Sequence, residues 1–271
     1  MGRAVAHAQR RVHGFSDPIT RQLLPPDARR LVDLFVSGEA PTSWRDRAQL
    51  SFVRRVVPMV SLRTIAIDDA VRAAAPVRQL VILGAGLDAR AWRMEELRDA
   101  IVFEVDHPAT QTVKRERTAA LQPAAREVHF VPVDFQRDAL DEALARAGHD
   151  AGAPTVFLWE GVVRYLTLAA IEVTLDAVAG RSAPGSRFVA NYTAGRRRRR
   201  WLSNLVLRAI GEPIRSEHTA GGFAALLAAR GFVIVSDTNA VLWAERGGVS
   251  LRAAERRRWA ESRRLLVAAR T

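Results

Sequence analysis

Two glycines and a series of carboxylates stand in this chain where backbone and acid groups could grip a nucleoside. Gly84-Ala85-Gly86 follows the apolar run Gln79-Leu80-Val81-Ile82-Leu83, and glycine lets a backbone turn sharply and approach a ligand closely. Asp106 follows the next strand-like run, Ile101 to Val105, where a carboxylate can accept hydrogen bonds from a ribose diol. Asp134 and Phe135 follow Val131-Pro132-Val133, an acceptor and a ring suited to the exocyclic amine and the face of an adenine. Glu160 follows Trp159 and suits an ammonium.

The glycines alone do not name the cofactor. Gly84-x-Gly86-x-x-Ala89 fits the dinucleotide fingerprint, which keeps an NAD(P)-dependent oxidoreductase open. Against it, a pyrophosphate needs a helix N-terminus free of negative charge, and Asp88 stands in that turn, with Arg90 to offset it. A cofactor that combines ribose, adenine and an α-amino acid matches Asp106, Asp134 with Phe135, and Glu160 together. That cofactor is S-adenosylmethionine. The site asks for no metal.

These residues need a scaffold that brings strand ends to one edge. Strands are predicted at Gln79–Leu83, Ile101–Val105, Val128–Val133, Thr155–Trp159 and Arg187–Tyr192, with helical stretches between them. A helix from Thr167 carries Ile171, Leu175 and Val178 on one face and stops at Gly180. Phe223, Leu226 and Leu227 mark another, followed by a strand at Phe232–Val235. The last strand is placed at Arg264–Ala269 in preference to Ala240–Ala244, as an antiparallel return. The fold class is therefore α/β, a Rossmann-like, doubly wound, mostly parallel seven-stranded sheet, with ligands bound beyond the carboxyl ends of its strands.

Residues 1–75 read as an N-terminal helical cap or lid, and residues 76–271 as the core. Pro26-Asp27 opens a helix that Gly38 ends; Ser43 and Asp46 resemble a capping box before a second; a third runs from Ser61 to Ala75 and Pro76 closes it. The chain has 271 residues, a net charge of +12, a single lysine at Lys114 and no cysteine. Disulfides, thiolate metal sites and a cysteine nucleophile are excluded. No apolar stretch nears the roughly 20 residues of a membrane span, and the N-terminus has no signal core, so a cytoplasmic protein is expected. The positive charge raises nucleic acid as a partner, but it is nearly all arginine in a background rich in alanine and valine, which fits codon bias.

The ordered stretches resemble the leucine carboxyl methyltransferase-like family of class I S-adenosylmethionine-dependent methyltransferases, in particular its short bacterial O-methyltransferases. They are Arg63-Thr64 with Asp68-Asp69, residues 79–90, Phe103 to Pro108, Val133-Asp134-Phe135, and Trp159 to Val162 with Tyr165-Leu166. The resemblance implies that Arg63 pairs with the methionine carboxylate and that Gly84 and Gly86 approach methionine and ribose. It gives Asp106 to the ribose hydroxyls, Asp134 and Phe135 to the adenine, and Glu160 to the amino end. Ala89 replaces the family's usual threonine. The stretch between the fifth and sixth strands is short, which favours a small-molecule acceptor, such as a polyketide-like or other secondary metabolite, over a protein C-terminus.

Methyl transfer from a sulfonium is an in-line displacement in which alignment and water exclusion do much, so a base is optional. For a hydroxyl acceptor His218 is the candidate base, with Tyr165 or Tyr192 lining the pocket. For a carboxylate acceptor, Arg215 could orient it. His107, beside Pro108, reads as structural. Arg196 to Arg200 precede an amphipathic stretch and offer a landing patch for an acidic carrier protein. An RNA-binding or RNA-methylating protein is a further alternative; the run Trp159-Glu160-Gly161-Val162 lacks the Pro-Pro motif usual in nucleic-acid base methyltransferases.

Overall fold

The computed structural model describes residues 1–9, 12–194, 215–216 and 218–271. Four helices precede the first strand: α1 (Gly2–Gln9), α2 (Thr20–Leu23), α3 (Pro26–Ser37) and α4 (Trp44–Arg72). Strands and helices then alternate as β1 (Gln79–Leu83), α5 (Arg90–Arg93), β2 (Ile101–Asp106), α6 (Pro108–Thr118), β3 (Glu127–Pro132), α7 (Leu140–Arg146), β4 (Thr155–Trp159), α8 (Leu168–Gly180) and β5 (Arg187–Tyr192). Beyond them lie α9 (Ala220–Ala228), β6 (Phe232–Asn239), α10 (Ala240–Arg246), α11 (Ala253–Ser262) and β7 (Arg264–Arg270).

The sheet has seven strands in the order β3-β2-β1-β4-β5-β7-β6. The first five in that order run parallel, and β7 pairs antiparallel with both β5 and β6. Period-two alternation divides each central strand between two apolar layers. Val81, Leu83, Phe103, Val105, Phe157 and Trp159 face one layer, closed by Ile171, Leu175 and Val178 of α8 and Phe223 of α9. Leu80, Ile82, Val102, Val156 and Leu158 face the other, closed by Leu62, Ile67 and Val71 of α4 and Trp243 of α10. The predicted last strand is β7, and the competing stretch Ala240–Ala244 lies in α10, where Asn239 caps the backbone amides of Val241 and Leu242. The sixth strand runs on to Asn239, past the expected Val235, with an irregularity between Ile234 and Ser236.

The helical region departs from expectation at one point. The two helices predicted from Ser43 and from Ser61 form a single 29-residue helix, α4, that continues through Pro58. Proline removes one backbone donor and normally kinks or stops a helix, but here both flanking halves are packed. Val53 and Val57 lie against α1, and Leu62, Ile67 and Val71 lie against the sheet. Ser43 caps α4 by accepting from Arg45 N at 3.2 Å. Asp46 does not close the box; it pairs with Arg30 at 2.7 Å, tying α4 to α3. Gly38 ends α3 at φ 78°, a left-handed C-cap that glycine adopts without strain.

Candidate active site

The glycine turn is tied to β2 by its backbone. Gly84 N and Ala85 N both donate to Val105 O, at 2.8 and 3.0 Å. Gly84 has φ 67°, and a Cβ there would lie 2.2 Å from Val162 Cγ2, so the turn is pressed against the loop after β4. Gly86, at φ 46°, donates its N–H to Asp106 Oδ2, while Asp106 Oδ1 accepts from His107 N at 2.6 Å. A carboxylate has about four lone-pair sites, so Asp106 keeps acceptors for a diol. His107 Nδ1 accepts from Ala109 N at the head of α6, the structural role expected of it.

The other residues singled out in the sequence fall at the same edge. Glu160 Oε1 meets Arg63 Nη2 at 2.8 Å, and Glu160 Oε2 meets Arg90 Nη1 at 2.8 Å. Val133 N donates to Asp106 O, which sets Asp134 and Phe135 beside β2. Asp134 Oδ1 accepts from Gln136 N at 3.0 Å, closing the turn after β3, and Phe135 packs on the first apolar layer. His218 pairs with Ala194 just past the end of β5, and its ring lies edge-on to Phe223 at 5.3 Å. Burial pushes the His218 pKa down, which keeps the imidazole neutral. Its buried Nε2 has no hydrogen-bond partner among the described residues. Tyr192 donates to Asp237 Oδ2 at 2.7 Å; burial and that carboxylate push its pKa up, so it is held as a phenol. Arg196 to Arg200 and the amphipathic stretch after them lie outside the described residues.

Asp88 and Arg90 are buried and central. Arg90 is 0% exposed and holds Asp68 of α4 at 2.8 Å, Asp88 of the glycine turn, and Glu160. Arg93 adds a second cation to Asp68 at 2.8 Å. Burial by itself would raise the pKa of Glu160, but Arg63 and Arg90 outweigh it and hold the carboxyl at about 2. Arg90 likewise keeps Asp88 well below the usual carboxylate range against its burial. The charges that pattern reading left separate thus form one ionised cluster joining α4, the glycine turn and the loop after β4. The local signal for it was the Asp88-x-Arg90 spacing, where Asp88 Oδ1 also accepts from Arg90 N at 2.8 Å.

Beside Glu160 lies a polar cavity of about 110 Å³, between the carboxyl ends of β4 and β5 and closed by α4. Its walls include Arg63, Gly161, Arg164, Tyr165, Asn191 and Thr193. A larger cleft, about 600 Å³, opens elsewhere, between α4, α10 and β6, and includes Arg187 at the amino end of β5. No strand-end carboxylate lines it.

The glycine turn, the Asp106 carboxylate and the Arg63–Glu160 pair thus stand together at the carboxyl edge of a Rossmann-like, mostly parallel seven-stranded sheet, the fold of class I S-adenosylmethionine-dependent methyltransferases. Residues 1–179 match the leucine carboxyl methyltransferase family, and the chain belongs to that family. A Mycolicibacterium gilvum relative, provisionally named an S-adenosyl-L-methionine-dependent methyltransferase, is 36% identical over 231 residues, which are 80% of this chain and 70% of that relative. A Mycolicibacterium paratuberculosis relative of the same name is 40% identical over 153 residues, 54% of this chain; the match spans only 46% of that relative's length. Geranyl diphosphate C-methyltransferase from Streptomyces coelicolor, solved with Mg²⁺, geranyl diphosphate and S-adenosyl-L-homocysteine, shares the fold. It superposes with a TM-score of 0.54 at 15% identity, covering 79% of this chain and 83% of that one. S-adenosylmethionine is therefore the cofactor of this chain's family.

Proposed function

We propose that this chain transfers a methyl group from S-adenosylmethionine to an oxygen of a small-molecule acceptor, of the polyketide-like or other secondary-metabolite kind, in the cytoplasm. The observation that carries the reading is the Arg63–Glu160 contact beside the Gly86–Asp106 pair. A cation and an anion adjacent at the strand ends complement the carboxylate and ammonium of an α-amino acid. The buried Nε of Arg63 has no acceptor among the described residues, a donor that a methionine carboxylate would satisfy.

In this reading Asp106 holds the ribose hydroxyls, Asp134 and Phe135 receive the adenine, and Gly84 and Gly86 give the backbone its close approach. The bound cofactor supplies an electrophilic methyl on a sulfonium. Arg90 keeps Glu160 ionised and aimed, and residues 1–75 act as the cap that shapes the acceptor pocket and excludes water. His218, neutral at physiological pH, is the base for a hydroxyl acceptor, and Tyr165 lines the pocket. An acidic carrier could present the acceptor at Arg196 to Arg200.

A thermal-shift comparison tests the cofactor. S-adenosylhomocysteine should raise the melting temperature and NAD(P) should not, and the reverse would sink the reading. Methyl-labelled cofactor incubated with cell extract, followed by mass spectrometry of the labelled product, then identifies the acceptor. A labelled RNA would replace the small-molecule assignment.

A further inference from the structure

We propose that the acceptor carries an anionic group, a carboxylate or a phosphate, and that Arg164 binds it in the cavity between the ends of β4 and β5. This inference rests on the methyltransferase reading and names the class of molecule that site takes. The parallel order places the glycine turn of β1, with Asp106 of β2, on one side of β4. The cavity lies on the other side, at the β4–β5 gap, where the partner of a cofactor bound over β1 and β2 has room.

Arg164 is held ready there. Its carbonyl accepts from Arg215 N at 2.8 Å, and the neighbouring Val163 carbonyl accepts from Ser216 Oγ at 2.9 Å. Its guanidinium lies 5.1 Å from the centre of the Tyr165 ring, which orients it without neutralising it. Its Nε is buried, and no group among the described residues accepts from any of its nitrogens. Of the other arginines with a buried, unpaired nitrogen, Arg63 pairs with Glu160 and is assigned above to the methionine carboxylate, and the rest are satisfied elsewhere on the same guanidinium. Arg90 and Arg93 meet carboxylates, and Arg29 donates to the Gln22 and Leu24 carbonyls. Leaving a buried charged donor unmatched is costly, so the position calls for an anion, and a planar fork of N–H groups fits carboxylate or phosphate oxygens.

A neighbouring surface groove is cationic as well. One turn of α4 away from Met59, which lines the cavity, a groove of about 720 Å³ is lined by Arg47, Arg54 and Arg55, with Arg252 at the start of α11. Its carboxylates are Glu39 and Glu255, and Glu255 is engaged with Arg252 at 3.7 Å. Such a field raises the local concentration of an anionic ligand.

Calorimetry at constant ionic strength tests this with benzoate, phenyl phosphate and the neutral benzamide, each titrated into free and S-adenosylhomocysteine-loaded protein. One of the two anions should bind at least tenfold more tightly than benzamide, and which one wins separates carboxylate from phosphate. Arg164→Gln should remove that preference and Arg164→Lys should restore part of it, both with S-adenosylhomocysteine affinity within twofold of the parent. Equal binding of benzamide, no binding of either anion at tens of millimolar, or full anion binding by Arg164→Gln would overturn the proposal. So would a loss of S-adenosylhomocysteine affinity in Arg164→Gln as large as that in Arg63→Gln, which would place Arg164 on the cofactor. Failure of the parent protein to bind S-adenosylhomocysteine would defeat the methyltransferase reading instead, and the titrations of free protein would still show whether Arg164 holds an anion.

Discussion

Arg90 has the most consequence for its size. Its three carboxylate partners come from α4, the glycine turn and the loop after β4, so one side chain fixes the relative position of three parts of the site. Arg90→Met should cost about 3–5 kcal/mol of stability in urea unfolding, the scale for stranding buried charges. Among the described residues Arg63 meets only Glu160, which Arg90 also holds, so Arg63→Gln should lower the urea midpoint less than Arg90→Met does and weaken S-adenosylhomocysteine binding tenfold or more. Asp106→Ala should weaken the same binding by about 1.5–3 kcal/mol, the range for a hydrogen bond to a charged group, and an unchanged dissociation constant would remove its ribose role. At this scale the sequence displayed the chemical types well. Gly86 and Asp106 meet each other, as do Arg63 and Glu160, contacts that the sequence reading did not foresee because it gave each residue to a ligand group. Arg90 stayed hidden because an arginine among 41 basic residues gives no local sign of burial; only the convergence of distant carboxylates reveals it.

At the scale of elements, the glycine turn and the loop after β4 are a fitted pair. The space taken by a Cβ on Gly84 already belongs to Val162. Gly84→Ala should therefore destabilise the protein and weaken cofactor binding together, through both the clash and the positive φ. Adding Val162→Ala should recover the part due to the clash and leave the part due to the backbone, which a double-mutant cycle of thermal midpoints would separate. The strand positions were readable because buried parallel strands leave short apolar runs bounded by turn residues. The unity of α4 was not. Its apolar residues serve two different partners, α1 for Val53 and Val57 and the sheet for Leu62, Ile67 and Val71, so the periodic stripe breaks where the partner changes, and Pro58 stands near that break. Tertiary packing on both flanks overrides a local stop signal.

Across the whole molecule, the two edges of the sheet carry different chemistry. The carboxyl edge is the charged site; the amino edge holds a polar knot around a neutral His149. Arg181 Nε donates to His149 Nδ1 at 3.1 Å, which leaves His149 Nε2–H to donate to Thr155 Oγ1 at 3.0 Å. Burial, aided by Arg181, lowers the His149 pKa from 6.5 to about 4. Because the unfolded chain binds that proton more readily, the contribution is complete above pH 6.5 and declines as the pH falls towards 4. It amounts to about 3 kcal/mol at most. Glu104 has the opposite sign: burial raises its pKa to about 7 despite Lys114, so its penalty grows as the pH rises from 4.5 through 7. The difference in unfolding free energy between the parent and His149→Gln should shrink from pH 7 to pH 4; a constant difference would show that His149 does not titrate on unfolding. The doubly wound architecture was legible from alternation alone, whereas this knot joins Gln79, His149, Thr155 and Arg181, which are far apart in sequence and individually unremarkable.

The Lys114–Glu104 contact gives the chain an unusual reagent profile. Lys114 is 1% exposed, its Nζ lies 2.6 Å from Glu104 Oε2 and 5.2 Å from the centre of the Trp92 ring, and there is no cysteine. Apart from the terminal amine, the folded protein thus presents neither an amine nor a thiol to acylating or alkylating reagents. Any lysine or cysteine introduced on its surface becomes a unique handle for a dye, a tether or a cross-linker. Acylation of Lys114 itself becomes a count of the molecules whose interior has opened.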